Sequence, residues 1–180
     1  MKKNKKKQII NYSWILKILI SSFIISVIFT LISKTIIPNV GIILGIILTL
    51  IFILIGVIFD MLGIAVATAD EAQFNSMAAK RVKGAKIALK LKKNAEKVSS
   101  FCNDVVGDIC GIVSGSTGAV IAIKITEIYN LNNLFVTVIV MGIISCLTIG
   151  GKALEKGYAM KESNKILFFF AKIISIFTKQ

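Results

Sequence analysis

The chain has 180 residues, 56% of them hydrophobic, with a single Pro, no His and a formal net charge of +13. That apolar content, with a mean hydropathy of +0.84, excludes a soluble monomer and predicts an integral membrane protein. The positive charge is not a nucleic-acid signal: the basic residues cluster beside apolar runs, where they set orientation and meet anionic lipid headgroups, so no nucleic-acid partner is expected.

Residues 1–13, opening with MKKNKKK, read as a basic cytoplasmic N-terminus. An apolar run from Trp14 to about Ser33 follows, broken by Lys17 near its start. It is longer than the core of a secretory signal and no A-x-A cleavage pattern follows, so residues 14–33 are expected to be a retained N-terminal anchor. Pro38 and Asn39 mark a turn, and a second run extends from Val40 to about Ala67. Its one acid, Asp60, lines a path, pairs with a neighbouring helix or marks a polar kink; the sequence leaves the three open.

Residues 70–97 then carry eight basic side chains: Lys80, Arg81, Lys83, Lys86, Lys90, Lys92, Lys93 and Lys97. Apolar residues recur among them near helical spacing, which predicts an amphipathic helical hairpin on the bilayer surface. A third span is expected from about Val98 to Ile125 and a fourth from about Leu134 to Ile149. Residues 152–180 read as a juxtamembrane helix, its last stretch KILFFFAKIISIFTKQ lying along the interface. Seventeen basic residues fall in the N-terminus, the hairpin and residues 150–165, against only Lys34 and Lys124 on the other side, so both termini are expected in the cytoplasm. The fold class expected is all-α: a polytopic membrane helical bundle of about four transmembrane helices.

The third span is unusual. Its opening, FCNDVVGDICGIVSGSTGAV, sets Asp104 and Asp108 one helical turn apart, on one face of an α-helix. An acid within a span costs about 2.5 to 3.5 kcal/mol on insertion scales and marks a functional site by default. Hard divalent cations take carboxylate, carbonyl and water oxygens, and Mg²⁺ is usually held by one or two carboxylates with several retained waters. The competing reading places Asp104, about 9 Å along the helix from Val98, at the interface, paired with a hairpin lysine. Gly107, Gly111 and Gly115 repeat a small-xxx-small spacing that lets helices approach, which puts this helix at the centre of the bundle. Asp70 and Glu71, at the end of the second run, either begin the hairpin through contact with a helix N-terminus or act as ligands. Cys102, Cys110 and Cys146 lie in apolar or small-residue stretches without CxxC or His and read as packing residues. No phosphate-cradling loop or nucleophile with a neighbouring base is evident, so no enzyme is expected.

The segment from Val66 to Ile123 resembles the transmembrane domain of the CNNM and bacterial CorB/CorC magnesium transporters. In that family a span ends in a Ser-Ala-Ser-Glu-Thr-like motif, a basic hairpin follows, and the next span opens with Gly-Asn-Asn-x-x-Asn. Here TADEA resembles the first motif, with Glu71 on its Glu and Thr68 or Asp70 on its serine, and CNDVVGD resembles the second, with Asp104 and Asp108 on its asparagines. The resemblance implies a CNNM/CorC-like domain over residues 40–180 that binds dehydrated Mg²⁺ among its core helices and acts as a homodimer. The expected metal ligands are Asp104, Asp108, Thr68, Asp70 and Glu71, in a multi-pass cell-membrane protein that moves Mg²⁺ or a similar divalent cation. The family's Gly-Glu-x-x-Pro-Lys motif is represented only by TIGGKALEK, no CBS domain follows, and the N-terminal anchor is extra. Nucleotide-linked regulation is therefore expected to be absent. The alternative is a non-transporting membrane module that binds a partner or anionic lipid through its basic hairpin.

Overall fold

The computed structural model describes residues 12–177, so most of the basic N-terminal segment lies outside the described residues. The protein is all-α, and four of its helices are long and apolar enough to cross a membrane. Helix α1 (Tyr12–Ile36) turns through Ile37–Asn39 into α2 (Ile42–Thr68), a nearly unbroken run of Ile, Leu, Val and Phe. The hairpin helices are α3 (Glu71–Ala79) and α4 (Ala85–Lys93). A third continuous rod, Ala95–Tyr129, comprises α5 (Ala95–Ser100), a π-helical stretch (Phe101–Gly107) and α6 (Asp108–Tyr129). Helices α7 (Asn133–Lys161) and α8 (Ser163–Phe177) complete the chain.

Local chemistry fixes the corners. Asp70 caps α3, its carboxylate accepting from the Ala72 amide at 2.9 Å. Gly84 starts α4 at φ +87°, and a Cβ there would also lie 3.2 Å from the Lys172 backbone of α8, so the position needs glycine twice over. Asn130, at φ +50°, ends α6, and the Asn132 side chain accepts from the Leu134 and Phe135 amides to begin α7.

Three sequence expectations are corrected by this arrangement. The hairpin turns its apolar residues toward protein: Phe74 and Ala88 join Leu62, Val66, Ala69, Cys102, Leu167 and Ala171 in one buried cluster shared with α2 and α8. Lys92 reinforces that docking by donating to the carbonyls of Val66 (3.1 Å) and Ala67 (2.8 Å), near the end of α2, where the helix leaves acceptors unfilled and its dipole is negative. The helix of the fourth span does not stop near Ile149 but runs to Lys161, because GGKALEKGYAMK is rich in helix formers and holds no Pro. The separate juxtamembrane helix is accordingly shorter, and the third rod begins at Ala95 rather than Val98.

The glycines are the third correction. A Cβ on Gly111 or Gly115 would meet nothing within 4 Å, so that spacing brings no neighbour close. Close approach comes instead from α2, where a Cβ on Gly56 would lie 3.0 Å from Cys110 Cβ and one on Gly63 would lie 1.7 Å from Asn103 Oδ1. Helix α1 packs on the outside of this core, its Ile18, Ile25 and Phe29 against Val105, Ile109, Val113 and Phe52.

Candidate functional site

Three elements bring polar and ionisable side chains to one place: α2 supplies Asp60, the third rod supplies Asn103, Asp104 and Asp108, and α7 supplies Lys152, Glu155 and Lys156. A cavity of about 540 Å³ is lined by Asp60, Asn103, Asp104, Asp108, Lys152 and Lys156, together with Ile64, Ile149 and Ala153. A second, of about 410 Å³, shares Asn103 and Asp104 and continues to Glu96, Ser99, Ser100 and Ala67. Asn103 and Asp104 therefore stand between two polar hollows.

The depth of the site follows from the opposite end of the rod. Lys124 Nζ donates to the carbonyls of Ile37 (2.9 Å) and Val40, in the α1–α2 turn. From Lys124 back to Asp108 the helix rises about 24 Å, against an apolar layer of about 30 Å. The acids thus lie toward the hairpin-side edge of that layer, where water can enter.

The π-helical stretch alters the expected face. Its wider turn breaks the simple i, i+4 register, so the two acids find different partners. Asp104 Oδ2 accepts from the Ser100 hydroxyl, one turn back. Asp108 Oδ1 lies 3.6 Å from Lys152 Nζ, with side chains 68% and 27% exposed respectively. Asp108 therefore has its ion-pair partner on α7, and Asp104 takes the Ser100 hydroxyl rather than the hairpin lysine of the competing reading. Such stretches occur often at functional sites, because they re-aim side chains that a regular helix would stack.

Beside these paired groups are polar atoms with nothing to bind. Asn103 Oδ1 is buried and receives no hydrogen bond, although the absence of a side chain at Gly63 is what admits it. Glu155 is only 8% exposed, and neither of its carboxylate oxygens receives a hydrogen bond. It faces the carboxyl of Asp60, with Lys152 and Lys156 also acting on it. Two carboxyls that meet without a donor between them repel, unless a cation or a proton separates them.

The remaining predicted ligands are placed elsewhere. The Thr68 hydroxyl donates back to Ile64 of its own helix at 2.8 Å, Asp70 caps α3, and Glu71 is exposed in the first turn of α3. None of the three lines either cavity. Among the described residues no three Asp, Glu, Cys or His side chains are assembled as a ready metal cage.

The CNNM family, the cyclin M transmembrane N-terminal domain, matches residues 46–179. The chain belongs to this family. No curated protein and no solved structure matches it. The CNNM match begins inside α2, so α1 lies outside it. Within the CNNM domain, Lys152 and Glu155 were missed as site residues, though GKALEK holds the signal. Gly151 and Lys156 keep the spacing of the first and last residues of the family's Gly-Glu-x-x-Pro-Lys motif. That register sets Lys152 where the motif has Glu, and Glu155 where it has Pro.

Proposed function

We propose that this CNNM domain binds and moves a hard divalent cation, Mg²⁺ foremost, through the cavity between α2, the third rod and α7. The observation that carries the reading is the set of buried oxygens without partners, Asn103 Oδ1 and both oxygens of Glu155, beside three further carboxylates. Those are the donors Mg²⁺ prefers. At about 30 Å³ per water, six waters occupy about 180 Å³, so the cavity has room for a hydrated ion. Asp104 and Asp108 act as direct or water-mediated ligands, Asp60 and Glu155 add negative potential behind them, and Asn103 supplies a neutral oxygen. Thr68, Asp70 and Glu71 hold the corner between α2 and α3.

The reading includes a homodimer. Asp108, Gly111, Ile112 and Gly115 form one outward face of α6, with Ile112 60% exposed and the two glycines unpartnered. An exposed carboxylate beside small residues at membrane depth favours a second copy over lipid. It also includes a cell-membrane location with both termini and the hairpin in the cytoplasm, supported by four candidate spans and by the asymmetry of basic residues.

The test is Mg²⁺ flux into proteoliposomes loaded with an indicator, comparing the unmodified chain with Asp104→Asn and Asp108→Asn at equal density. Flux that falls in either variant supports the reading; its absence from every folded sample overturns transport. The second reading, a lipid-binding module, is favoured by a cavity of about 620 Å³ at the hairpin turn that Arg81, Lys83 and Lys86 line. Co-flotation with anionic vesicles, unchanged by the aspartate substitutions, would favour it.

A further inference from the structure

The geometry points to Lys152 as a resident cation of the site: its ammonium occupies the position a divalent ion needs beside Asp108, and ion binding must displace it. This rests on the cation-binding reading above and specifies how the empty site is held. Lys152 Nζ stands 3.6 Å from Asp108 Oδ1. A Cβ on Gly107 would lie 3.5 Å from the same Nζ and 3.8 Å from Asp60 Oδ1, so the ammonium and the Asp60 carboxylate both approach the backbone immediately before Asp108.

Glu155 gives the independent observation. Its carboxylate is more than nine-tenths buried and without a hydrogen bond, and it projects from α7 three residues beyond Lys152, on the same face. A buried carboxyl facing Asp60 is costly unless a proton or a positive charge is close, and Lys152 acts on Glu155 while standing within reach of Asp108. Asp60, Asp104 and Asp108 line the cavity against Lys152 and Lys156, so charge alone does not prevent a cation from binding; occupancy of the Asp108 oxygens does. Lysine suits the task because its ammonium is a compact point charge on a flexible stem that can swing away.

The test is Mg²⁺ titration by calorimetry of the purified chain in nanodiscs, with Lys152→Met, Lys152→Arg and, outside the cavity, Lys161→Gln. Lys152→Met should tighten Mg²⁺ binding by about tenfold or more, Lys152→Arg should stay near the unmodified chain, and Lys161→Gln should change it by less than about threefold. Equal tightening by Lys152→Met and Lys161→Gln would mean a general field effect and overturn the inference. Binding by the unmodified chain that Lys152→Met leaves unchanged overturns the inference while the function stands. Binding gained only in Lys152→Met supports the inference and overturns transport by the natural chain; binding in no sample overturns both.

A measurement on the unmodified chain covers the case in which Lys152→Met does not fold. Acylation of Lys152 by an amine-reactive ester, followed by mass spectrometry, should rise several-fold in saturating Mg²⁺ but not in Na⁺ of equal ionic strength. Acylation that is unchanged or reduced by Mg²⁺ overturns the inference.

Discussion

Lys124 and Lys152 are both lysines on spanning rods, at opposite ends of the bundle, and they are held in opposite ways. Lys124 donates to two backbone carbonyls, of Ile37 and Val40, and so closes the turn between α1 and α2. Lys152 has one acid at 3.6 Å, with Glu155 nearby lacking any hydrogen bond. A cation satisfied by fixed carbonyls is a structural clasp. A cation shared among more acids than it can pair leaves part of the site unsatisfied, and that part can accept a ligand.

The sharpest way to break this contrast is at the glycines that support each end. Gly63→Ala puts a Cβ 1.7 Å from Asn103 Oδ1 and 2.6 Å from its Cγ, so Asn103 must leave its place between the two cavities. The expected outcome is loss of Mg²⁺ flux with a stability loss of about 1 to 3 kcal/mol, read by thermal unfolding in micelles. Gly45→Ala, toward the other end, meets the flexible Ile121 side chain at 3.3 Å and Ile37 at an ordinary 3.9 Å, and should preserve flux with a stability change within about 1 kcal/mol. Equal loss of flux in both variants would remove the distinction between the ends.

A smaller effect is expected at the clasp. Lys124→Met leaves the Val40 carbonyl without its lysine donor and the Ile37 carbonyl with only the Val40 amide at 3.4 Å, and should cost about 1 to 2 kcal/mol, while Mg²⁺ affinity is retained. Lys152→Met should instead change Mg²⁺ affinity. If Lys124→Met altered Mg²⁺ affinity as much as Lys152→Met does, the two ends would be coupled and the division between clasp and site would fall.

The two ends were also unequally legible in the sequence. Spans, hairpin and family could be read because hydropathy and charge runs are local properties of the chain, and the Val66–Ile123 motifs are contiguous. The helices outrun the apolar runs at Ile149 and Val98 because hydropathy falls before the helix does: the polar GGKALEKGYAMK remains a good helix former. The site was half legible. Asp104 and Asp108 stand out as acids in a span, but Glu155 and Lys152 look like ordinary charges past the end of one, and only packing of α7 on α2 brings them to Asp60. No residue pattern in CNDVVGD announces the π-helical stretch that lies between the two aspartates' partners.

The smallest expected effect concerns a surface that neither end uses. Gly111 and Gly115 keep a small-xxx-small spacing, yet a Cβ on either touches nothing within 4 Å in one chain. In an isolated chain, alanine at these positions should be neutral or stabilise α6 by a few tenths of a kcal/mol, because Ala loses less backbone freedom than Gly on forming a helix. In the proposed dimer the same methyl groups meet a partner, and the added bulk should weaken association. Thermal unfolding and light scattering of Gly111→Ala and Gly115→Ala in micelles therefore read two different things. Unchanged stability with weaker dimerisation would place a second copy against the Asp108 face, where its approach also controls how much water reaches Lys152. Unchanged stability with unchanged association would leave that face to lipid, and the exposed Asp108–Lys152 pair would then have to be hydrated from the hairpin side alone.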